Sequence, residues 1–521
     1  MLREIKKTMK KVILIIIAAV IVAGGIGGYF IFKKPVSLEP KPPIEQVGKC
    51  GDNICDDFEK AHPNACPADC KISANTEINK NSPFGASPFL SFNKSFREDP
   101  QPPKPKDFDF KPTKDLGLKW GRAHYLTWPI VQPSKKHIDS NIYDWSDSDE
   151  VIGSYPVGFN AVENIQAFGI EIGETGEQID SFSFSTKDAE DDYMRFVQKG
   201  VERYDGDGKD DMPGLKNPIK YWQVENEPDL KTKDWEGYAH LLKITYDGIK
   251  SVCADCKVVI GGMGGEMKGL NEFFKPVLEK LGGKYFDIFD YHCYGRKDDW
   301  KKCGQMAEEI KKAFPNNNFE IWLTETGTWS GIVSDMSSGQ LSPPQSEKEQ
   351  ASALVKYYLY NLSKSVKKIF WAWGILEGFE GPENNIFDKT GLIYDGYFSD
   401  DLGLGVKKLS YYAYKKMVEV LEGSDWNNIE TIQETGGVYV YKFTKNGKPI
   451  WVAWNDNAGE KQITISGVNS SSVKITESVP NYSSGKEVKD YATAFKTEIK
   501  QIINNKLTII LSETPVFEEG D

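Results

Sequence analysis

The chain has 521 residues, enough for several domains and a large core. A formal net charge of -12 argues against nucleic acid as a partner. The 5 His fall into no His-Glu-x-x-His pattern and no P-loop motif is present, which excludes those two chemistries.

In chain order, the first feature is an uncharged apolar run from Val12 to Phe32, long enough to cross a bilayer. Arg3, Lys6, Lys7, Lys10 and Lys11 precede it, and Lys33 and Lys34 follow. The heavier positive flank predicts a single-pass anchor at the cell membrane with the bulk of the chain outside the cytoplasm. A cleaved signal peptide ending near Ala23, Gly24 and Gly25 is the rival reading. The run continues to Phe32, which favours the uncleaved anchor over residues 1–35.

Residues 36–80 form a Cys-rich segment and linker. Cys50, Cys55, Cys66 and Cys70 read as a zinc knuckle or a disulfide knot. Outside the cell, disulfides are favoured. The interleaved acids Asp52, Asp56, Asp57, Glu59 and Asp69 could hold calcium. The segment resembles small Cys-Gly-Asp-x-x-Cys modules found beside extracellular domains.

From 81 to 425 strands alternate with amphipathic helices. The expected strands are Pro83–Leu90, Leu116–Tyr125, Asn160–Phe168, Ile219–Glu227, Lys257–Gly262, Phe286–Tyr294, Phe319–Glu325 and Lys368–Ile375. The expected helices are Thr186–Tyr204, with Ser185 as its cap, then Trp235–Val252, Leu270–Leu281, Asp298–Phe314, Ser346–Val366 and Lys407–Leu421. Eight such repeats predict an α/β fold, a (β/α)8 TIM barrel. A doubly wound open sheet competes, but no Gly-x-Gly-x-x-Gly loop follows the first strand. From 426 to 521 short strands separated by polar turns predict an antiparallel β-sandwich. Its aromatics Tyr439, Tyr441, Trp451 and Trp454 read as core.

Two strands end in carboxylates. Tyr221-Trp-Gln-Val-Glu-Asn-Glu-Pro228 places Asn226 and Glu227 at a strand end that Pro228 terminates. Phe319-Glu-Ile-Trp-Leu-Thr-Glu-Thr-Gly327 does the same for Glu325. The C-terminal mouth of a barrel is where chemistry is done. Two carboxylates there suit retaining glycoside hydrolysis, one as acid/base and one as nucleophile. A single strand-end Glu is more often an ion-pair partner or a cap. The 13 Trp and 24 Tyr suit sugar-stacking clefts without being diagnostic of them.

Alternation along each strand predicts which residues join the two glutamates at the mouth. Trp120, Arg122 and His124 share one face, Asp290, His292 and Tyr294 another, and Trp371 and Trp373 a third. Arg122 and Tyr294 are expected beside Glu325, with Arg122 keeping it ionised. Glu227 is expected to be protonated at rest, its pKa raised by apolar walls and by the Glu325 charge. Asn226 is placed to bond a sugar 2-OH, and a Trp face to stack under the ring.

These motifs resemble the clan A glycoside hydrolases, and most of all family 39, which includes β-xylosidases and α-L-iduronidases. The resemblance covers about Asn81 to the C-terminus. Asn226-Glu227-Pro228 is similar to the family's acid/base motif and Thr324-Glu325 to its nucleophile motif. Their spacing, 325 − 227 = 98 residues, fits three intervening βα units. Arg122-Ala-His124, His292-Cys-Tyr294 and Trp371/Trp373 resemble the family's other mouth residues, and the closing run Leu507 to Phe517 its β-domain. Glu225 departs from the apolar residue or Trp many relatives carry. The resemblance implies an enzyme acting on a carbohydrate substrate without a required cofactor, and the N-terminal apolar run with its charged flanks predicts that this enzyme is membrane-anchored and outward-facing. A catalytically inactive carbohydrate-binding protein and a transglycosylase are the competing functions. Sugar choice is expected to reside in the loops 330–344 and 379–402.

Two motifs lie outside this scheme. Cys253-Ala-Asp-Cys256 reads as a local disulfide outside the cell rather than a redox pair, and Cys293 and Cys303 as another bridge. Asp205-Gly-Asp-Gly-Lys-Asp-Asp211 resembles a loop wrapping structural calcium through Asp205, Asp207 and Asp211, with Lys209 at a position a ligand would take. A plain acidic turn competes.

Overall fold

The computed structural model describes residues 80–88, 91–92, 108–167, 182–315, 318–334, 340–378 and 385–520. Eight strands form a closed, all-parallel barrel: β1 (Phe84–Ser87), β2 (Trp120–Thr127), β3 (Asn160–Gln166), β4 (Tyr221–Asn226), β5 (Lys257–Gly262), β6 (Ile288–Tyr294), β7 (Glu320–Gly327) and β8 (Val366–Ala372). Each pairs with its neighbours in sequence, and β1 pairs with β8 to close the ring. The strands are nearly continuous in burial, as strands covered on both faces must be.

The lumen is filled in layers. Trp120, Val162, Val259, Ile288, Trp322 and Phe370 form an apolar layer, with Tyr221 against it. Trp120 sits edge-on to Tyr221 at 4.8 Å and to Trp322 at 5.2 Å. Two residues further along the strands the layer turns polar: Arg122, Asn164, Gln223, Asp290 and Thr324, all buried. The mouth lies above that layer.

Several expectations need correction. The segment expected as a strand from Leu116 starts as a helix, Lys111–Leu116, with Pro112 in its first turn and Gly117 left-handed at φ 79° as its cap. Pro and Gly bracket a helical turn in that order, so β2 begins only at Trp120. The cap of helix Lys187–Tyr204 is Thr186, whose hydroxyl accepts from the Ala189 N–H, and not Ser185. Leu270–Phe274 is a π-helical turn between Glu266–Gly269 and Lys275–Leu281. Pro276, which has no N–H to donate, lies in the first turn after it. Helix Glu347–Ser363 opens on a capping box between Ser346 and Glu349.

After helix Leu409–Leu421 the chain is antiparallel β. Strands β9 (Glu430–Thr435), β10 (Val438–Lys445), β11 (Lys448–Asn455), β16 (Val516–Gly520), β13 (Ser472–Glu477) and β14 (Thr497–Gln501) form one sheet in that order. Strands β12 (Lys461–Ser466) and β15 (Lys506–Leu511) form a second. Trp451 lies in the core of this unit. Trp454 stacks on Tyr439 and meets Trp300 of the barrel edge-on at 5.5 Å. Buried Lys356, on a barrel helix, bonds Asp456 of the sandwich at 3.2 Å. Disulfides join Cys253 to Cys256 and Cys293 to Cys303. No helix among the described residues is long and apolar enough to cross a membrane. The expected anchor over Val12–Phe32 and the Cys50–Cys70 segment lie outside the described residues.

Candidate active site

The site is built around Arg122. Its guanidinium is fully buried and donates three ways: Nε to Gln223 Oε1 at 2.6 Å, Nη1 to Glu325 Oε1 at 2.5 Å and Nη2 to Asn226 Oδ1 at 2.6 Å. Arg can only donate, in a rigid fork. One side chain on β2 therefore fixes the ends of β4 and β7.

Two local irregularities bring the carboxylates inward. Strict alternation from Tyr221 and Gln223 would point Glu225 into the lumen. Glu225 instead has φ +64°, a conformation rare for a residue with a side chain. Its carboxylate accepts from the Ala167 N–H at 2.7 Å and lies 3.6 Å from Lys231. The alternation is broken, and Asn226 takes the inward position. Glu227 follows at φ +45° and begins the turn into Pro228–Lys231. On β7 the register against β6 slips between Tyr291 and His292. Thr324 and Glu325 thus both reach polar partners in the lumen, where an unbroken strand would present one of them.

Glu325 is buried and accepts from Tyr294 Oη at 2.9 Å as well as from Arg122. Glu227 Oε1 lies 2.7 Å from His292 Nδ1, which is also 3.4 Å from Glu325 Oε2. Ligand-capable atoms of Glu227, His292 and Glu325 all fall within 4.8 Å of one another. The neighbouring glycines make room for this. A Cβ on Gly262 would lie 2.1 Å from His292 Nε2, and one on Gly264 would lie 2.8 Å from the Glu227 carboxyl carbon.

The electrostatics correct one expectation. Burial pushes the Glu227 pKa up, but the hydrogen bond and charge of His292, with Arg122 and Lys231, outweigh it and hold the group below the usual range. Burial pushes the His292 pKa down, and Glu325, Asp290 and Glu227 together raise it to about 10. Both shifts run against the expectation of a Glu227 pKa raised by apolar walls and by the Glu325 charge. Burial, then the charges of Arg122, Lys231 and His292, hold the His124 pKa well below normal. His124 is neutral, with Nδ1 3.5 Å from Gln166 Nε2.

The two tryptophans part company. Phe370, not Trp371, faces the lumen. Trp371 is fully buried on the outer side, edge-on to Tyr357 of helix Glu347–Ser363, and donates its indole N–H to the Thr390 carbonyl at 2.8 Å. It cannot contact a substrate. Trp373, beyond the strand end, is part-exposed, and its N–H donates to Thr390 Oγ1. Arg122, grouped with the mouth residues and expected beside Glu325, is fully buried and bonds Glu325 and Asn226 from beneath the mouth. Gln223 was not singled out, although it lies on the face of β4 that Tyr221 opens.

Asp205, Asp207 and Asp211 also converge, with one carboxylate oxygen from each within 4.8 Å of the others. Asp211 accepts from the Gly206 and Gly208 N–H groups, and Lys209 turns away to pair with Glu202.

No protein-family model matches the chain, and no curated protein matches it by sequence. Solved structures match its fold. A glucosidase from Croceicoccus marinus superposes with a TM-score of 0.54 at 13% identity, over 85% of this chain and 97% of that one. A glycoside hydrolase family 39 β-xylosidase from Caulobacter crescentus gives 0.52 at 16%, over 78% and 90%. An α-L-arabinofuranosidase from Thermotoga maritima gives 0.54 at 12%, over 84% and 96%. At these identities the likeness is one of fold.

Proposed function

We propose that this protein is a retaining glycoside hydrolase that cleaves O-glycosidic bonds of oligo- or polysaccharides by double displacement. The observation that carries the reading is that one carboxylate oxygen of Glu227 and one of Glu325 lie within 4.8 Å of each other at the C-terminal mouth of a parallel barrel. Retaining enzymes hold their carboxyl groups about 5–5.5 Å apart, whereas inverting ones leave about 6.5–9.5 Å for a water. The fold likeness to a glucosidase, a β-xylosidase and an arabinofuranosidase is consistent with it.

Glu325 is the nucleophile. Arg122 and Tyr294 hold one oxygen each, so the carboxylate is oriented and its charge compensated. Glu227 is the acid/base. Asn226 accepts from Arg122 through Oδ1, which leaves its amide Nδ2 to donate to the sugar 2-OH. Neutral His124 and the part-exposed Trp373 line the sugar's site. We place the site outside the cytoplasm, as the two disulfides favour, on a chain held to the membrane by residues 12–32. Calcium at Asp205, Asp207 and Asp211 would pin the loop that precedes β4 and take no part in the chemistry.

The test is a pair of variants assayed on aryl glycosides. Glu325→Ala abolishes turnover, and azide restores it with a product of inverted configuration. Glu227→Ala is hurt least on substrates with good leaving groups, and azide gives a product of retained configuration. Activity unchanged by both substitutions would show that the chemistry happens elsewhere.

A further inference from the structure

The polar layer beneath the mouth fixes where its hydrogens are. Arg122 Nε must donate, so Gln223 presents Oε1 to it and turns its amide Nε2 to Asp290 Oδ2, at 2.5 Å. Asn164 Nδ2 also donates to Gln223 Oε1, at 3.2 Å, which supports that orientation. Asp290 then accepts at both oxygens: from the Thr324 N–H at Oδ1, and from the Thr324 hydroxyl at Oδ2, at 2.5 Å. A hydroxyl has one hydrogen. With that hydrogen given to Asp290, Thr324 Oγ1 can only accept from His292 Nε2, 3.2 Å away. His292 Nε2 is therefore an N–H.

That leaves Nδ1. It faces Glu227 Oε1 at 2.7 Å and Glu325 Oε2 at 3.4 Å. A bare Nδ1 between two bare carboxylates would set three lone pairs against each other in a buried site. The triad must hold a proton, on Nδ1 or on a carboxyl. The ring packs against Gly262, where a side chain would collide with its Nε2 edge. The titratable and charged groups around it are Glu227 and Lys231 after β4, Arg122 and His124 on β2, Asp290 and Tyr294 on β6, and Glu325 on β7.

We propose that the proton used on the leaving group rests on His292 Nδ1 between turnovers and passes to Glu227 when substrate occupies the site. This rests on the roles assigned to Glu227 and Glu325 above. As Glu325 attacks the anomeric carbon, the proton leaves Nδ1 for the Glu227 carboxyl and goes on to the glycosidic oxygen, which departs as an alcohol. The imidazole is then neutral and Glu227 a carboxylate. In the second step Glu227 takes a proton from the water that opens the glycosyl–Glu325 ester and returns it to Nδ1. His292 touches no substrate atom in this scheme and acts through Glu227.

Two measurements on the full chain test this. In protein labelled with ¹⁵N-histidine, one ring should carry protons on both nitrogens at pH 8, and Glu227→Gln should lower the pH at which that ring becomes neutral. A wild-type protein with no doubly protonated ring at pH 8 overturns the proposal, whatever the activity. In kinetics, His292→Gln should lose at least about 10-fold more kcat/KM on phenyl than on dinitrophenyl glycosides, since general-acid help contributes about 10²–10⁴-fold. The basic limb of its pH profile should also move down. An equal loss on both substrates, with an unmoved limb, means His292 is only structural. Wild type inert on every glycoside would instead overturn the glycosidase reading, while the NMR result would still locate the proton.

Discussion

Single residues set this protein's charge balance by what surrounds them. Glu518 is the clearest case outside the active site. It lies on β16 between β11 and β13, opposite Trp451 and Ile475, which belong to the sandwich's apolar core. It is fully buried and neither oxygen has a hydrogen-bond partner. Burial pushes its pKa from 4.5 up to about 8, against a small opposing effect of Lys500. A carboxyl with a raised folded pKa binds its proton more tightly when folded. Stability is therefore full below pH 4.5 and is lost as pH rises toward 8. At about 1.4 kcal/mol per pH unit the loss is on the order of a few kcal/mol. Glu518→Gln should flatten this slope, so its advantage over wild type in denaturant melts grows from pH 5 to pH 8. An advantage independent of pH would mean Glu518 is not neutral in the fold. Glu225 is the other instructive residue. In sequence it looks like a departure from a family pattern; in the fold its left-handed backbone decides which neighbour enters the lumen.

Elements gain function from where they end. Strands β4 and β7 are short and apolar, and each releases a carboxylate where its regular geometry fails. The turn between helix Lys187–Tyr204 and β4 is also acidic. Burial and the Asp207 charge raise the Asp205 pKa to about 7, and burial raises that of Asp211. A bound cation would relieve that repulsion. Calcium should raise the melting temperature, and Asp207→Asn should remove the effect, because a ligand that binds only the folded state stabilises it. Identical melting in calcium and in chelator would leave an acidic turn held by its own backbone N–H groups. The Cys253–Cys256 bridge belongs to the same scale. Cys253 caps the C-terminus of helix Trp235–Val252, where the helix dipole disfavours a thiolate. That position suits a staple and not a redox pair.

The whole molecule joins barrel to sandwich through Trp300 against Trp454 and Tyr439, and through Lys356 and Lys301 on Asp456. If residues 12–32 form an uncleaved anchor, full-length protein expressed in membranes should resist carbonate extraction and keep Met1. Mature protein beginning near Gly25 would instead mean a secreted enzyme.

The sequence alone determined the barrel, the sandwich and the two strand-end glutamates. Apolar alternation and turn residues are local signals, and a carboxylate at the end of an apolar strand is visible in any linear reading. Arg122 and Tyr294 were legible because strand residues of one parity share a lumen, and Glu325 because it closes an apolar strand. Only the tertiary structure decided the rest. Trp371 turned out to face the helices because the phase of β8 is set by packing Phe370 against Trp322 and Trp120. Gln223 gained its role from partners 101 and 67 residues away. His292 read only as one of the mouth residues until the fold put it between the two carboxylates, where it turns the expected upward pKa shift of Glu227 into a downward one. A side chain's charge state depends on neighbours that are close in space and distant in the chain, and on a burial that no linear pattern reports.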